Sequence, residues 1–369
     1  MNFIFCAPCH FGLEGLVADE MRRMGLNNVR AENGRVRFDG TAADLAKASV
    51  GLRCAERLLL EVGSFNAETF DELFEGVLTL PLEDFIPKNG RFPVKGNCVN
   101  SKLFSTSDCQ SIIKKAAATR LSKKYGIEWF PEDGETIQIQ FFIMNDIAYI
   151  YLDTSGPGLH KRGYRPDHVA APLSETLAAA MVILSRYRGK GDFCDPFCGS
   201  GTIAIEAALM AINRAPGLYR GFAAENWSCF NKQIWKDAKD EAKSCEYKGD
   251  YSIYASDIDP EAVIISQKNA KLAGVSDIIQ FETADASDFK RETQRGLIVT
   301  NPPYGERLME KRHAEELYAK FGRAYFALQN WSLFLLSSHT EFERSFGKQA
   351  SKKRKLYNGM IKCDLYMYK

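Results

Sequence analysis

The sequence predicts an α/β fold in which two α+β segments precede a mostly parallel sheet that ends in an antiparallel hairpin. Residues 1–65 alternate in the order β, α, β, β, α, β. From residue 191 onward, apolar strands alternate with segments of helical periodicity, which is typical of a parallel sheet. Residues 352–368 contain two strand-like runs around Asn358-Gly359, a hairpin turn signal.

The composition is that of a folded chain of two or three domains, with 369 residues, of which 45% are hydrophobic and 26% charged. The formal net charge is +1, so nucleic-acid binding must be argued from local basic patches. No stretch approaches the roughly 20 apolar residues of a membrane span. The ten scattered cysteines, and an N-terminus without a basic leader, indicate reduced thiols and a cytoplasmic location.

One cysteine motif, Cys6-Ala-Pro-Cys9-His10, matches the pattern of c-type haem attachment. That chemistry requires export, for which the sequence carries no signal. A zinc site would require a second ligand pair at similar spacing, and the sequence has none. We therefore expect a structural strand-to-loop segment and no metal.

Within residues 1–65 we expect strands at 3–7, 28–31, 35–38 and 57–62, and helices at 13–24 and 41–49. Thr41 is a suitable N-cap for the second helix. Glu32-Asn33-Gly34 reads as the turn between two antiparallel strands. This order of elements is that of a ferredoxin-like segment.

Residues 66–155 predict a second unit with helices at 68–78 and 107–125, a short strand at 91–95 and a closing hairpin at 136–153. Between residues 85 and 125, nine basic side chains accompany a single acid, Asp108. Such a patch attracts phosphate backbones, although a solvated helix face is the alternative. The candidate RNA contacts in this unit are Lys88, Arg91, Lys95, Lys114, Lys115, Lys123 and Lys124.

Residues 156–171 read as a connector to the final domain, which spans residues 172–369. Its basic side chains Lys161, Arg162 and Arg165 either contact RNA phosphates or belong to a solvated linker. Ser174 is a suitable N-cap for the helix that follows.

The segment Asp195-Pro-Phe-Cys-Gly-Ser-Gly-Thr202 lies between a predicted strand at 191–194 and a predicted helix at 203–212. Gly199 and Gly201 allow positive φ and close approach of a ligand, and Thr202 can cap the helix. An acid stands where a dinucleotide loop would hold a phosphate, which favours a cationic ligand. The spacing D-x-x-x-G-x-G is that of loops that bind S-adenosylmethionine (SAM), and the alternative is an ordinary strand-to-helix turn.

Acidic residues also follow the next two predicted strands, at 251–255 and 278–282. Asp257 lies where a carboxylate accepts hydrogen bonds from ribose hydroxyls, whereas Asp259 precedes a proline and looks like an N-cap. Asp285 can accept a hydrogen bond from an adenine amino group. Residues 213–249, which precede these strands, form an aromatic insertion that we interpret as a local cluster rather than the border of a substrate cleft.

The fourth predicted strand, at 296–300, ends in Asn301-Pro302-Pro303-Tyr304. The two prolines fix the backbone and remove two N–H donors. The remaining groups are the Asn301 amide oxygen, the Pro302 carbonyl and the Tyr304 ring. Two acceptors beside an aromatic plate suit a planar base with an exocyclic amine, because they orient the amine lone pair and the ring can stack on the base.

With these parts in this order, residues 160–369 look like a Rossmann-like class I SAM-dependent amino-methyltransferase. Residues 66–155 resemble the RNA-binding THUMP module in Phe92-Pro-Val-Lys95, in the start of the long helix and in the closing hairpin. The whole chain resembles bacterial THUMP methyltransferases, nearest to those that act on guanine N2 in large-subunit ribosomal RNA. The resemblance implies SAM as methyl donor, no metal, catalytic roles for Asn301, Pro302 and Tyr304, and cofactor contacts from Asp195, Phe197, Gly199, Gly201, Thr202, Asp257, Ile258 and Asp285.

Three alternatives stay open at this point. The Asn-Pro-Pro-Tyr motif indicates an amine and not a base, so adenine N6 competes with guanine N2. The RNA partner is expected to be ribosomal RNA, with tRNA as the alternative. A non-catalytic RNA-binding protein with a vestigial SAM domain is disfavoured by the intact Asn301 and Tyr304. The sequence does not predict the oligomeric state.

Overall fold

The computed structural model describes residues 2–166, 173–305 and 308–369, and of Leu308 and Met309 only the backbone. These residues form two seven-stranded sheets. The predicted connector and the start of the final domain fall partly on residues 167–172, outside the described residues.

The first sheet has the strand order β2-β3-β1-β4-β7-β6-β5, and all its pairs are antiparallel except β5 with β6. Its strands are β1 (Phe3–Pro8), β2 (Asn27–Glu32), β3 (Arg35–Gly40), β4 (Leu59–Asn66), β5 (Val94–Val99), β6 (Ile139–Met144) and β7 (Ile147–Asp153). The helices in this part of the chain are α1 (Glu14–Arg23), α2 (Ala42–Gly51), α3 (Phe70–Leu78) and α4 (Thr106–Tyr125). The predicted ferredoxin-like and THUMP segments are confirmed, and their strands form one continuous sheet.

Local sequence signals explain where these elements begin and end. Thr41 and Thr69 each accept a hydrogen bond from the backbone N–H three residues on and so form capping boxes at the starts of α2 and α3. Gly126, with φ of 64°, ends α4 in the left-handed conformation. Asn145 and Asp146 have φ of 51° and 62°, the two positive values that a type I′ hairpin between β6 and β7 requires.

The second sheet has the order β10-β9-β8-β11-β12-β14-β13, in which the first five strands are parallel and β14 runs antiparallel to β12. This is the expected Rossmann-like class I sheet with its terminal hairpin. The strands are β8 (Asp192–Asp195), β9 (Ile253–Asp257), β10 (Ile279–Thr283), β11 (Gly296–Thr300), β12 (Trp331–Ser337), β13 (Lys352–Asn358) and β14 (Ile361–Tyr368). The helices are α5 (Glu175–Ser185), α6 (Thr202–Ala211), α7 (Gln233–Ser244), α8 (Pro260–Leu272), α9 (Leu308–Phe326) and α10 (Phe342–Phe346).

The terminal hairpin differs from the prediction in its turn. Asn358 pairs with Ile361, so the two loop residues are Gly359 and Met360 rather than Asn358 and Gly359. Gly359 supplies the positive φ, 61°. As a result the Asn358 side chain belongs to the end of β13 and not to the loop.

The aromatic side chains of the insertion at 213–249 stack on one another, as predicted: Phe222 on Trp235 at a centroid distance of 5.4 Å and Trp227 on Phe230 at 6.0 Å. The insertion also makes contacts that the sequence did not predict. Trp227 donates through Nε1 to the Thr136 carbonyl at 3.2 Å, and Phe230 meets Phe3 edge-on at a centroid distance of 6.0 Å. The backbone N–H of Gly217 donates to the Val50 carbonyl at 2.9 Å. These contacts reach residues of the N-terminal sheet and its helices, so the insertion joins the two halves of the molecule.

In the described part of the connector, residues 156–166, Arg162 is built into the structure rather than solvated, whereas Lys161 is exposed. The side chain of Arg162 is 2% exposed, and its Nε lies 3.4 Å from Glu206 Oε1 in α6. Tyr164 donates to the same oxygen at 3.0 Å, and Arg162 also donates to the Arg53 carbonyl at 2.5 Å. Arg162 therefore cannot contact RNA phosphates as predicted, because its guanidinium is enclosed between the N-terminal segment and α6.

Candidate active site

A cavity of about 760 Å³ lies outside the carboxyl ends of β8, β9, β10 and β11. In an open α/β sheet this is the position where ligands bind. The predicted site residues that line it are Asp195, Phe197, Gly199, Thr202, Asp257, Ile258, Asp285, Asn301, Pro302 and Tyr304. Residues that start far apart in the chain are therefore brought to one site.

Asp195 is the most buried acid of the cavity, at 1% exposed. Its Oδ1 accepts hydrogen bonds from Thr300 Oγ1 at 2.6 Å and from the Phe197 backbone N–H at 3.3 Å. Oδ2 is buried and has no hydrogen-bond partner among the described residues. Burial raises the pKa of the Asp195 carboxyl to about 7, and the two hydrogen bonds oppose that rise only in part. Because buried polar atoms are normally hydrogen-bonded, we expect a ligand to donate a hydrogen bond to Oδ2. A cationic donor would also stabilise the ionised form of the carboxyl.

The glycine loop is tied to the end of β9 by one hydrogen bond. Gly199, with φ of 50°, donates its N–H to Asp257 Oδ2 at 2.9 Å. Asp257 Oδ1 accepts from the Asp259 N–H at 3.1 Å, and Asp259 caps α8 through the Glu261 N–H as predicted. Asp257 is half-buried at the strand end, and it faces the cavity.

Two predictions within the loop are wrong. Gly201 does not line the cavity: it occupies the N-cap position of α6 with φ of 81°, and a Cβ there would stand 2.8 Å from Ser266 Cβ. Gly201 therefore allows close packing of α6 on α8. Thr202 is the first residue of α6 and not its cap, since Gly201 holds the N-cap position; the Thr202 Oγ1 accepts from Arg165 Nη1 at 2.8 Å.

That contact also corrects the prediction for Arg165. Its side chain is 10% exposed and donates to the Leu173 carbonyl at 2.6 Å and to Glu175 Oε2 at 3.1 Å. Arg165 thus holds the start of α5 against the glycine loop, and it is not available to RNA phosphates.

Asp285 lies beyond β10, where its Oδ1 accepts from the Ser287 N–H at 2.8 Å. This hydrogen bond, with the nearby Lys320, lowers the pKa of the Asp285 carboxyl, which is therefore ionised at neutral pH. Ile258, which is 67% exposed, lines the cavity beside it. Phe197 also lines the cavity, and its ring lies edge-on to that of Phe321 at a centroid distance of 5.2 Å.

Asn301 and Tyr304 interact directly at the end of β11. The Tyr304 hydroxyl donates to Asn301 Oδ1 at 2.5 Å, and the Tyr318 hydroxyl holds the loop through the Pro303 carbonyl at 2.6 Å. Burial raises the pKa of the Tyr304 hydroxyl, so it stays protonated as the donor. The Tyr304 hydroxyl thus uses one of the two lone pairs of the Asn301 amide oxygen.

Sequence reasoning missed the residues that other elements bring to the cavity. The described residues of α9 that line it are Glu310, His313, Glu316, Leu317 and Lys320, and the terminal hairpin adds Asn358 and Ile361. Helical spacing of polar residues on α9 was the available signal, but it does not say which face meets the sheet. Asn358 was interpreted only as a turn residue.

The predicted RNA contacts in the THUMP segment divide into exposed and paired side chains. Lys88, Arg91, Lys95, Lys115, Lys123, Lys124 and, in the connector, Lys161 are exposed. Lys114 is engaged by Glu132 Oε1 at 2.5 Å and lies 3.5 Å from the Phe92 ring centroid. Three acidic side chains from outside residues 85–125 form salt bridges with basic side chains of that segment: Glu68, Glu83 and Glu132. The net positive charge of the patch is therefore smaller than the residue count within 85–125 indicates.

The cavity fits SAM by the chemistry of its side chains. The Asp195 oxygen without a partner suits the amino group of the methionine moiety. Asp257 and Asp285 present carboxylates suited to the ribose hydroxyls and the adenine amino group. Among the described residues, no group of three or more His, Cys, Asp or Glu side chains could hold a metal ion, and no helix is long and apolar enough to cross a membrane.

Fold and cavity together define a class I SAM-dependent methyltransferase with an N-terminal THUMP module, and comparison with known proteins agrees. The chain belongs to the RMKL-like methyltransferase domain family, whose model matches residues 162–367. Models of the RlmL ferredoxin-like domain and the THUMP domain match residues 4–59 and 67–153. The resemblance inferred from the sequence is thereby confirmed, and the methyl donor is SAM.

Similar proteins extend over the whole chain. YpsC of Bacillus subtilis, named as a candidate RNA methyltransferase, is 45% identical over 100% of this chain and 96% of its own length. The ribosomal RNA large subunit methyltransferase K/L of Psychromonas ingrahamii is 34% identical over 98% of this chain, which spans only 49% of that relative. A Listeria monocytogenes structure described as a predicted N6-adenine-specific DNA methylase has a TM-score of 0.95 at 43% identity and covers 100% of this chain and 96% of its own. SMU.472, described as a candidate methyltransferase complexed with S-adenosylhomocysteine (SAH), has a TM-score of 0.94 at 39% identity and covers 100% of this chain and 98% of its own.

Proposed function

We propose that this methyltransferase transfers a methyl group from SAM to the exocyclic N2 amine of a guanine in large-subunit ribosomal RNA. The observation that carries the proposal is the Asn301-Pro302-Pro303-Tyr304 segment, which lines the same cavity as Asp195, Asp257 and Asp285. The THUMP segment and the names of the curated relatives support RNA as the substrate. The K/L relatives, of which this chain spans about half, support ribosomal RNA.

When bound, SAM supplies a methyl group whose bond to the sulfonium sulfur would break as its bond to the amine nitrogen forms. The sulfur would leave as the neutral thioether of SAH, and the methylated amine would lose one of its protons to water. The protein's part is to present the acceptor amine. Asn301 Oδ1 and the Pro302 carbonyl accept hydrogen bonds from the two N–H groups, so that the lone pair is directed away from the ring system. The prolines hold both acceptors in place, which lowers the entropic cost of alignment.

The Tyr304 hydroxyl donates to one of the two lone pairs of Asn301 Oδ1 at 2.5 Å, and we infer that it gives up this position to the amine. We infer that the Tyr304 ring turns toward the incoming base and stacks on it, which fulfils the role expected from the sequence. The apolar side chains of Leu173, Phe197 and Ile203 line the same cavity as Asp195.

The exposed basic side chains of the THUMP segment supply the contact with the RNA backbone. Lys88, Lys95, Lys115 and Lys123 are exposed, and among the described residues no salt bridge engages them. Binding through such side chains is expected to weaken steeply with salt. The two halves of the molecule are joined by the aromatic insertion, so RNA held on the first sheet is presented to the second at a defined separation.

Mass spectrometry of ribosomal RNA from a deletion strain tests the proposal. We expect one N2-methylguanine to be missing, and to return when the purified protein and radiolabelled SAM are added to that RNA. Assaying the tRNA fraction separately, and resolving methyladenine from methylguanine, covers the two alternatives. A deletion strain with unchanged methylguanine in its ribosomal RNA would contradict the proposal, and a loss in tRNA or of methyladenine would replace it.

A further inference from the structure

The end of the cavity at Asn301 carries a second carboxamide, that of Asn358. Asn358 and Ile361 line the cavity from the terminal hairpin. The Asn358 Nδ2 atom lies 3.5 Å from the Tyr304 hydroxyl oxygen, which in turn donates to Asn301 Oδ1 at 2.5 Å. A single hydroxyl oxygen therefore lies between the two carboxamides.

The backbone fixes the position of Asn358. It is the last residue of β13 and pairs with Ile361, the first residue of β14. Cys363, 1% exposed, packs on the same side of the hairpin as Asn358 and Ile361, next to Tyr304. Asn358 is half-buried and the two loop residues beyond it are exposed, so the carboxamide is held at the cavity wall while the turn is in solvent.

The Tyr304 hydroxyl marks the place of the acceptor amine, because it already makes the hydrogen bond to Asn301 that the amine requires. A base that replaces this hydroxyl brings the atoms beside its amine toward Asn358. In guanine those atoms are the N1–H donor and then the O6 acceptor. In adenine they are the N1 acceptor and then a C–H group, which forms no comparable hydrogen bond.

A carboxamide presents one acceptor and one donor side by side. This pair matches N1–H and O6 of guanine with two hydrogen bonds, whereas adenine can use only the donor and leaves the amide oxygen unpaired. A ligand that leaves a partly buried polar group of the protein without a hydrogen bond binds much more weakly than one that satisfies that group.

We propose that Asn358 is a specificity-determining residue that reads the Watson–Crick edge of the target guanine, with Oδ1 accepting from N1–H and Nδ2 donating to O6. This inference rests on the proposed function, since it presumes a guanine amine as substrate. The Asn358 carboxamide would thus distinguish guanine from adenine, which the Asn-Pro-Pro-Tyr motif alone does not.

The test uses two fragments of ribosomal RNA that span the nucleotide mapped in the deletion strain. One carries guanine at that position and the other carries 2-aminopurine, which keeps the 2-amine but lacks O6 and the N1–H. Wild-type protein should methylate the 2-aminopurine fragment about 10- to 100-fold more slowly in kcat/KM, the range expected for two lost hydrogen bonds. Asn358→Ala should slow the guanine fragment by a similar factor and leave the 2-aminopurine fragment within about threefold of wild type.

Met360→Ala is the matched control in the same hairpin, because Met360 is 98% exposed and lies outside the cavity; it should leave both rates unchanged. Each variant is first shown to bind SAH with the affinity of the wild type, which excludes loss of folding, and its rate on both fragments is then compared. Equal slowing of both fragments by Asn358→Ala, or no slowing of either, would overturn the role of Asn358. No transfer to the guanine fragment by wild-type protein would overturn the proposed function itself, and this assignment with it.

Discussion

The affinity of the protein for SAH should depend on pH through Asp195. Burial raises the pKa of this carboxyl to about 7, and its Oδ2 has no partner among the described residues. The ionised carboxylate is the form that binds an ammonium group, so affinity is full above pH 7 and is lost as the pH falls through 7.

The magnitude follows from the fraction of Asp195 that is ionised. With a pKa of about 7, that fraction falls from about three-quarters at pH 7.5 to about one-tenth at pH 6.0, so Kd should rise about eightfold. The amino group of SAH stays largely protonated over this range, so the change reports the protein. Isothermal titration calorimetry between pH 5.5 and 7.5 measures the effect.

Asp195→Asn provides the control, because the amide does not titrate. This variant should bind SAH weakly and with a Kd that is flat over the same range. A flat Kd for the wild type, or an unchanged pH dependence in Asp195→Asn, would refute the assignment of Asp195 to the methionine amino group.

Three further predictions concern the rest of the cavity and the buried connector. Asn301→Ala should abolish methyl transfer to RNA while SAH still binds in calorimetry; retained turnover would remove Asn301 from the mechanism. Asp257→Ala should weaken SAM binding by about 1.5–3 kcal/mol, the range for hydrogen bonds to a charged group, and unchanged affinity would argue against a ribose contact. Glu206→Ala should lower the free energy of unfolding by about 3–5 kcal/mol, because it leaves the buried Arg162 guanidinium without its carboxylate. Urea denaturation measures that loss, and a change below about 1 kcal/mol would show that the pair contributes little.

Much of the fold could be predicted because the signals are local. Thr41 and Thr69 as helix caps, Gly126 as a helix end and Asn145-Asp146 as a hairpin turn depend on residues within a few positions of each other. Asp195, Asp257, Asp285 and Asn301 could be predicted as site residues for a related reason, since each follows a recognisable parallel strand and such strand ends share one edge of the sheet.

The remaining features depend on partners distant in the chain. The burial of Arg162 requires Glu206, 44 positions away, and the pairing of Lys114 requires Glu132, 18 positions away. The Tyr304 side chain reaches Asn358, 54 positions away, so neither its hydrogen bonds nor its orientation follows from the motif. Gly201 shows a subtler limit: its need for positive φ was predicted correctly, but the neighbour that makes a side chain impossible lies on another helix.

The continuous N-terminal sheet constrains how this protein can be divided. The ferredoxin-like strands join the THUMP strands where β1 pairs with β4 at Phe5 with Leu60 and Cys6 with Leu59, and β4 pairs with β7 along its length. Arg37 crosses the junction to Glu61 at 2.7 Å. An excised THUMP module beginning near residue 66 would lose β4 and leave β7 as an exposed edge, which favours aggregation. The seven strands of this sheet lie within residues 3–153, so a fragment that keeps the sheet intact must span at least these residues.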